Sequence, residues 1–318
     1  MSIPGLVSAL HLWAETAEGT ARLLNHSENH TFLVENAAGQ AFSLRVHRPG
    51  YQSRASIQSE LAWLQALRRD TGLPVAEPIP GRDGQLLQAF KQPDGQPRLA
   101  VLFAFAAGQE PRPDGDLEEL FVTLGGFAAR MHQQVIAWQQ PAGFVRQLWS
   151  AETILAADGL WGDWRIAPGV TPPIRSVLDR LDTALRRDLA AYGTAPERFG
   201  LIHADMRLGN LLVDGDAVTL IDFDDCGFCW FAYEFAAAIS FHETHASVPG
   251  LKAAWLKGYR AIRSLSAIDI AAMETMVLLR RMALLAWVGS HNETNLAQTH
   301  APGFAEGTAQ LAELYLAR

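Results

Sequence analysis

The most informative stretch of this chain, residues 201–225, reads LIHADMRLGNLLVDGDAVTLIDFDD. An apolar pair leads into His203, Asp205 follows after one residue, and Asn210 follows after four more. Asp205 therefore lies in the same predicted loop as Asn210, five residues before it.

The residues that follow Asn210 predict a short β-hairpin. Leu211–Val213 is a predicted strand, Asp214-Gly215 is a turn signal, and Val218–Ile221 is the predicted returning strand. Such a hairpin brings Asn210 back beside Asp222. At least two oxygen-bearing side chains are then expected to converge at one end of the hairpin.

Oxygen-bearing side chains in this arrangement suit a hard cation. Mg²⁺ prefers oxygen ligands, keeps several waters and takes its remaining ligands from substrate phosphates, and Asn210 and Asp222 offer an amide and a carboxylate. Asp205 is placed to face an incoming hydroxyl rather than the metal. One acceptor carboxylate, one Asn and one Asp around Mg²⁺ are the set that phosphoryl transfer needs. The residues alone therefore predict a phosphotransferase.

The pattern His-x-Asp-x4-Asn followed by Ile-Asp-Phe resembles the catalytic segment of the aminoglycoside phosphotransferase and choline kinase family. The sequence of this segment is most similar to that of the bacterial homoserine-kinase-like and stress-response-kinase-like members. The resemblance extends over most of the chain. It implies a bilobal, protein-kinase-like fold of the α+β class. One lobe would be a small antiparallel sheet with one helix, and the other larger and mainly helical. The resemblance also implies ATP and Mg²⁺ as cofactors.

The resemblance gives each polar residue of the stretch an expected role. Asp205 corresponds to the catalytic base, which orients the acceptor hydroxyl and takes its proton. Asn210 and Asp222 correspond to the two protein ligands of Mg²⁺. His203 corresponds to the scaffold histidine of the catalytic loop. Glu234 stands where the family usually has an aspartate at a helix start that supports this loop, and it is one methylene longer.

The nucleotide-binding residues that the resemblance implies depart from the family pattern. The loop Asn25–His30 holds no glycine, so the expected phosphate contacts are backbone N–H groups and the Ser27 hydroxyl. Arg45, on the third predicted strand, takes the place of the family lysine, because no lysine precedes Lys91. Arginine keeps the charge but not the shape of lysine. Glu60, on the first predicted helix, is the expected ion-pair partner of Arg45. The alternative is that both are solvated surface charges.

The rest of the chain divides into a strand-rich and a helix-rich part. Strands are predicted over residues 21–24, 31–35, 41–47, 86–90 and 99–105, and a helix over 53–69. Residues 108–115 are rich in Pro, Gly and Asp, which predicts a nucleotide-binding lobe over 1–105 and a catalytic and acceptor-binding lobe over 106–318. Long helices are predicted over 116–138, 174–192 and 268–288.

Composition excludes several classes of protein. The chain has 318 residues, 49% of them apolar and 19% charged, which is ordinary for a folded protein. Its net charge of −8 argues against a nucleic-acid-binding role. No apolar run reaches the roughly 20 residues that span a bilayer. Two cysteines cannot form a disulfide framework. These features predict a cytoplasmic protein with neither a nucleic acid nor a membrane as partner.

Two further pairs of residues leave two interpretations open. Asp224 and Asp225 follow the metal loop, where they could contact a second metal, although solvating or capping a loop is the simpler interpretation. Trp161 and Trp164 lie in or beside a segment rich in Gly and Asp, so they are candidates for the wall of an acceptor pocket. The simpler interpretation of tryptophans in this part of the chain is core packing.

The sequence thus predicts an ATP- and Mg²⁺-dependent enzyme that moves the γ-phosphate to a hydroxyl of a small molecule. The acceptor classes that fit are an amino alcohol, a homoserine-like compound and an aminoglycoside-like compound. One alternative is a protein Ser/Thr kinase of the same fold. A second is a nucleotide-binding pseudokinase, motivated by Arg45 and the glycine-free loop, although Asp205, Asn210 and Asp222 are all present.

Overall fold

The computed structural model describes residues 3–26 and 29–318. The helices are α1 (Leu6–Leu10), α2 (Arg54–Thr71), α3 (Glu118–Ala137), α4 (Ala151–Leu155), α5 (Pro172–Tyr192), α6 (Tyr233–Ala238), α7 (Val248–Arg260), α8 (Ala267–Ser290), α9 (Asn295–His300) and α10 (Phe304–Leu316). The strands are β1 (Thr20–His26), β2 (His30–Glu35), β3 (Ala41–Val46), β4 (Pro78–Ile79), β5 (Gln88–Lys91), β6 (Pro97–Ala104), β7 (Gln147–Leu148), β8 (Phe199–Ile202), β9 (Leu211–Asp214), β10 (Ala217–Leu220) and β11 (Gly227–Trp230).

The chain forms two compact units. Unit 1 contains the described residues within Met1–Glu110, together with Gln139–Arg146 and Leu211–Asp224. Unit 2 contains Pro111–Trp138, Gln147–Asn210 and Asp225–Arg318. The sequence predicts a single boundary between two lobes, between residues 105 and 106. Unit 1 instead continues to Glu110 and includes two later segments of the chain.

Unit 1 is built on an antiparallel sheet. Its strands lie in the order β1-β2-β3-β6-β4, and β5 also pairs with β6. Alternate side chains of a strand point to opposite faces of a sheet. Phe42 and Leu44 of β3 accordingly pack with Phe32 and Trp13 in one apolar cluster. The five predicted strands of this part are all present, with ends displaced by up to two residues.

Helix α2 forms where the apolar spacing predicted it, and both of its ends are capped. The Ser53 hydroxyl accepts from the backbone N–H of Ser56, and Gly72 ends the helix in the left-handed conformation that glycine adopts without strain. Leu61 and Leu67 are buried on this helix, and so is Glu60. The sheet of unit 1 is therefore accompanied by a helix that carries a buried carboxylate.

The hairpin predicted after residue 210 is also present. Strands β9 and β10 pair antiparallel, with Val213 opposite Val218, and Gly215 takes the positive φ that the tight turn requires. Backbone hydrogen bonds between Gln109 and Val213 attach the hairpin to the preceding chain of unit 1. The predicted hairpin is therefore confirmed. It could be predicted because a tight turn depends only on local sequence signals.

Unit 2 is mainly helical and contains a small sheet in the order β7-β11-β8. Its apolar cluster includes Trp149, Leu185 and Leu285. Trp161 and Trp164 belong to the same cluster, and Trp164 is fully buried. The suggestion that these two tryptophans line an acceptor pocket is therefore not supported, and core packing is the better description.

Helix α8 is the most apolar of the three long helices predicted in unit 2, and it is buried over most of its length. Arg280 and Arg281 stand side by side in the middle of its apolar stretch, and both are buried. Over residues 3–26 and 29–318, no helix is both long and apolar enough to cross a membrane.

Candidate active site

The loop that follows β8 carries Asp205 in unit 2, and its backbone is held by one carboxylate. Glu234, in the first turn of α6, accepts from the backbone N–H of His203 at 2.6 Å and of Ala204 at 3.3 Å. Ala204 has a φ of 65°, a conformation that costs a non-glycine residue about 1–2 kcal/mol. Despite its extra methylene, Glu234 thus reaches two consecutive backbone N–H groups of the loop.

Burial changes the ionisation of Glu234. The carboxyl is fully buried, which raises its pKa to about 8, although the two backbone N–H groups and Arg280 work in the opposite direction. His203 is fully buried as well, and its Nδ1 accepts from the backbone N–H of Asp205 at 3.2 Å. These contacts are consistent with the expected scaffold role of His203 in the loop.

The carboxylate of Asp205 is held at both of its oxygens. Asn210 Nδ2 donates to Oδ2 at 2.7 Å and Arg207 Nε donates to Oδ2 at 3.2 Å. Arg280 Nη2 donates to Oδ1. Asn210 Nδ2 also donates to the backbone carbonyl of Asp205 at 2.8 Å. The side chain of Asp205 is thus fixed in one orientation.

Sequence reasoning missed Arg280, which lies 75 residues after Asp205 on α8. The only signal was two arginines within an otherwise apolar helical stretch, MVLLRRMALLAWV, over residues 276–288. A charged residue on the buried face of a helix must have a partner. The sequence indicates that such a partner exists, but not which residue it is.

In unit 1, Arg45 is buried and paired rather than solvated. Its Nη2 contacts the carboxylate of Glu60, and its Nη1 donates to Asp222 Oδ1 at 3.2 Å. Its guanidinium also lies 5.2 Å from the centre of the Phe103 ring. Burial alone would lower the pKa of Arg45, but the carboxylates of Glu60, Asp224 and Asp222 outweigh it and raise the pKa. The interpretation of Arg45 and Glu60 as solvated charges is therefore wrong.

Asp222 and Asp224 have different surroundings although one residue separates them. The Asp222 side chain is 49% exposed, and its φ of 59° is left-handed. Asp224 is 5% exposed, and its Oδ2 accepts from Asn29 Nδ2 at 2.9 Å. Of the simpler interpretation, the solvated alternative is wrong for Asp224, because the side chain is buried and hydrogen-bonded to Asn29, 195 positions earlier. Asp225 is half-buried in unit 2, and its backbone carbonyl accepts from Trp149 Nε1 at 2.9 Å.

Arg146 is a second buried cation of unit 1 that sequence reasoning missed. Its Nη1 donates to the Ser56 carbonyl at 3.1 Å and to the Ser56 hydroxyl at 2.9 Å, and its Nη2 donates to the backbone carbonyl of Asp224. The cluster around Arg45 thus contains two guanidinium groups and the carboxylates of Glu60, Asp222 and Asp224. The candidate Ser27 lies outside the described residues.

The donor atoms of the two expected metal ligands fit a hard cation. The amide nitrogen of Asn210 donates to Asp205. The amide oxygen of Asn210 is therefore the atom that remains to bind a cation. Asp222 offers a carboxylate with half of its side chain exposed. In the described ranges, no group of three or more His, Cys, Asp or Glu side chains could hold a metal. Amide and carboxylate oxygens are ligands that Mg²⁺ takes beside waters and substrate phosphates.

Comparisons with known proteins agree on one family. A family model described as "Phosphotransferase enzyme family" matches residues 20–268. An amicoumacin kinase of Bacillus subtilis (strain 168) is 27% identical over 219 residues, which is 68% of this chain. The match covers 61% of that protein, so this chain spans about three fifths of the length of this relative.

Two solved structures extend the comparison to the fold. A structure described as a microcompartment-associated aminopropanol kinase is 41% identical and has a TM-score of 0.90, over 98% of this chain and 97% of that one. An amicoumacin kinase in complex with AMP-PNP, Ca²⁺ and Ami is 21% identical with a TM-score of 0.77, over 96% of this chain and 92% of that one. The second likeness shows a common fold.

Proposed function

This chain belongs to the phosphotransferase enzyme family, and we propose that it moves the γ-phosphate of ATP, with Mg²⁺, to the hydroxyl of a small amino alcohol. The family match over residues 20–268 confirms the resemblance seen in the catalytic segment, and with it the α+β fold class. Its relatives are kinases that act on hydroxyl groups of small molecules. The acceptor and the nucleotide are the proposed part.

The observation that carries the proposal is the 41% identity to an aminopropanol kinase over 98% of this chain. The amicoumacin kinases are 21–27% identical, and one of these matches covers only part of the chain. The matching homoserine kinases are 27–34% identical over 35–78% of this chain, and two solved aminoglycoside phosphotransferases are 15–16% identical. Among the acceptors that the sequence allowed, the higher identity and coverage of the aminopropanol kinase therefore favour an amino alcohol.

In the proposed reaction, the Asp205 carboxylate accepts a hydrogen bond from the acceptor hydroxyl, orients its oxygen toward the γ-phosphate and takes its proton as the new bond forms. Asn210 and Asp222 would hold Mg²⁺ through their oxygens. Bound Mg²⁺ neutralises and orients the phosphates, which is where most of the rate of phosphoryl transfer originates. Arg45, kept charged by Glu60, would contact the α- and β-phosphates, and the Ser27 hydroxyl would contact phosphate as well.

The surroundings of Arg45 also bear on the pseudokinase alternative. The arginine is buried and charged, and it donates one hydrogen bond to Asp222. A cation in this state can bind phosphate oxygens as the family lysine does, with two donor atoms instead of one. The replacement of lysine therefore does not remove the charge that nucleotide binding needs.

The test is Mg²⁺-dependent release of ADP from ATP with a panel of acceptors. The panel contains aminopropanol, ethanolamine, choline, homoserine, an aminoglycoside and a generic protein. Propanol and propylamine are matched controls, because each lacks one of the two functional groups of aminopropanol. We expect aminopropanol or a close amino alcohol to have the highest kcat/KM, with no turnover of propylamine and weak turnover of propanol.

Other results would change the conclusion in defined ways. If the generic protein were the only acceptor that is phosphorylated, the enzyme would be a protein kinase. Turnover of homoserine or the aminoglycoside in preference to amino alcohols would keep the kinase and replace the acceptor. If no acceptor reacts and ATP with Mg²⁺ does not raise the melting temperature, the pseudokinase alternative is favoured over the kinase.

A further inference from the structure

Arg280 makes three hydrogen bonds around the residue proposed as the base. Its Nη2 donates to Asp205 Oδ1, its Nη1 to the Ala204 carbonyl at 3.1 Å, and its Nε to the Ser240 hydroxyl at 2.9 Å. The Arg280 side chain is 1% exposed. One buried guanidinium thus connects the catalytic loop to the end of α6 and to α8.

The hydrogen bonds to Asp205 leave its two oxygens unequal. A carboxylate oxygen has two lone pairs. Oδ2 receives two donors, Asn210 Nδ2 and Arg207 Nε, whereas within the described ranges Oδ1 receives one, from Arg280. The remaining lone pair of Oδ1 is the position where a hydroxyl can donate without displacing an existing partner.

We propose that Arg280 is a positioning residue that fixes Asp205 so that its Oδ1 receives the acceptor hydroxyl. This inference rests on the proposed role of Asp205 as the base. Donors on both oxygens prevent rotation of the carboxylate about its Cβ–Cγ bond. Without Arg280, Oδ1 would lose its anchor, and the hydroxyl would meet a carboxylate in several orientations.

The surroundings of Arg280 keep it charged and in place. Its guanidinium lies 5.0 Å from the Trp161 ring centre and 5.9 Å from the Tyr233 ring centre, so aromatic faces replace water around the cation. Burial alone would lower the pKa of Arg280, but Tyr233 and Asp205 outweigh it and raise the pKa. The arginine therefore stays charged, with its N–H groups available as donors.

The adjacent residue, Arg281, offers a matched control. It is also buried, and its Nη1 pairs with Glu243 Oε2 at 2.6 Å. Its Nε donates to the Thr308 hydroxyl at 2.9 Å and its Nη2 to the Phe304 carbonyl at 3.0 Å. Arg281 thus has as many partners as Arg280, but none of those partners belongs to the catalytic loop.

The experiment compares Arg280→Gln and Arg280→Lys with Arg281→Gln and Arg281→Lys, using the best acceptor of the panel. We expect Arg280→Gln to lower kcat about 100-fold, the order expected when a reacting group is misplaced by about 1 Å. The KM for ATP with Mg²⁺ should stay unchanged, because Arg280 does not belong to the proposed nucleotide site. The Arg281 variants should lower the melting temperature and leave kcat per folded enzyme unchanged.

Chemical rescue separates positioning from a general loss of structure. In Arg280→Ala, added guanidinium at millimolar concentration should restore part of kcat, because it can occupy the vacated site and donate to Oδ1. The same addition should leave the kcat of Arg281→Ala unchanged and should not restore Asp205→Asn. If Arg280→Gln does not fold, Arg280→Lys provides the comparison, since lysine keeps the charge but supplies a single donor atom.

The outcomes also distinguish this inference from the proposed function. If Asp205→Asn turns over as fast as the parent, the base is misassigned and both proposals fail. If Asp205→Asn is inactive while Arg280→Gln keeps the parental kcat, the proposed function stands and the inference is overturned. An equal loss of kcat in the Arg280 and Arg281 variants, without guanidinium rescue, also overturns it.

Discussion

Arg45 on β3 and Glu60 on α2 form an ion pair in which the arginine side chain is 7% exposed and the glutamate side chain is fully buried. Burial raises the pKa of Glu60, and Arg45 opposes that effect. Each side chain thus stabilises the charged form of the other. The pair also extends to Asp222, which Arg45 contacts through its other terminal nitrogen.

Removing Arg45 should therefore destabilise unit 1 strongly. We expect Arg45→Met to lower the free energy of unfolding by about 3–5 kcal/mol, the usual cost of leaving a buried carboxylate without its partner. Arg45→Lys, which restores the family residue, should cost less but should still weaken ATP binding, because one ammonium cannot contact Glu60 and Asp222 in the same geometry. Urea unfolding and the KM for ATP measure the two effects. A lysine variant equal to the parent in both would show that the two donor atoms of Arg45 are not needed.

The raised pKa of Glu234, from 4.5 to about 8, makes stability depend on pH. Between these values the folded state binds a proton that the unfolded state releases, so the free energy of unfolding falls as the pH rises from 4.5 to 8. Glu234→Gln cannot ionise, and its stability should change less over this range. Melting temperatures at a series of pH values test this, and parallel curves for parent and variant would contradict it.

Glu234→Gln should also be less stable than the parent at low pH, where both side chains are neutral. The amide nitrogen of glutamine cannot accept from a backbone N–H, so either His203 or Ala204 loses its partner. A buried donor without an acceptor costs about 1–3 kcal/mol. Urea unfolding at pH 5 measures this difference, with Glu152→Gln, a change at an exposed helix start, as the control.

Asp205 and Asp222 should separate catalysis from nucleotide binding. We expect Asp205→Asn to lower kcat by about 10²–10⁴-fold, the range for a lost general base, and to keep the rise in melting temperature that ATP and Mg²⁺ produce. In the parent, EDTA should remove the Mg²⁺-dependent part of this rise in melting temperature. Asp222→Asn should lack that Mg²⁺-dependent part. If Asp205→Asn also lost this part, the assignment of metal and base roles to the two residues would be wrong.

The hydrogen bond between Asn29 and Asp224 should couple the start of β2 to the segment after β10. Asn29→Ala leaves the buried Asp224 carboxylate without this donor, and we expect a loss of about 1–3 kcal/mol in the free energy of unfolding. A double-mutant cycle with Asp224→Ala should show coupling, because the two side chains are in contact. Asn36→Ala, in the turn between β2 and β3, is the control and should add to Asp224→Ala without coupling. Additive losses for Asn29 and Asp224 would contradict the prediction.

Much of the candidate active site could be predicted because its signals are local. Asp205 and Asn210 are five residues apart in one loop, and the Asp214-Gly215 turn specifies the hairpin that follows. Turn geometry and the spacing of metal-binding side chains depend on a few neighbouring residues, so a short stretch of sequence is enough to recognise them. The pairing of Arg45 with Glu60 was also predictable, because the family pattern places both residues.

The partners of buried charges could not be predicted in the same way. Arg280 is 75 residues from Asp205, and Asn29 is 195 residues from Asp224, so no local pattern joins either pair. Desolvation requires that a buried charge or amide find a partner, but it does not specify which residue that is. The sequence therefore determined the candidate catalytic set and the family to which the chain belongs. Tertiary packing determined that Asp224 is covered rather than solvated, that Trp164 belongs to the core, and that a distant arginine anchors Asp205.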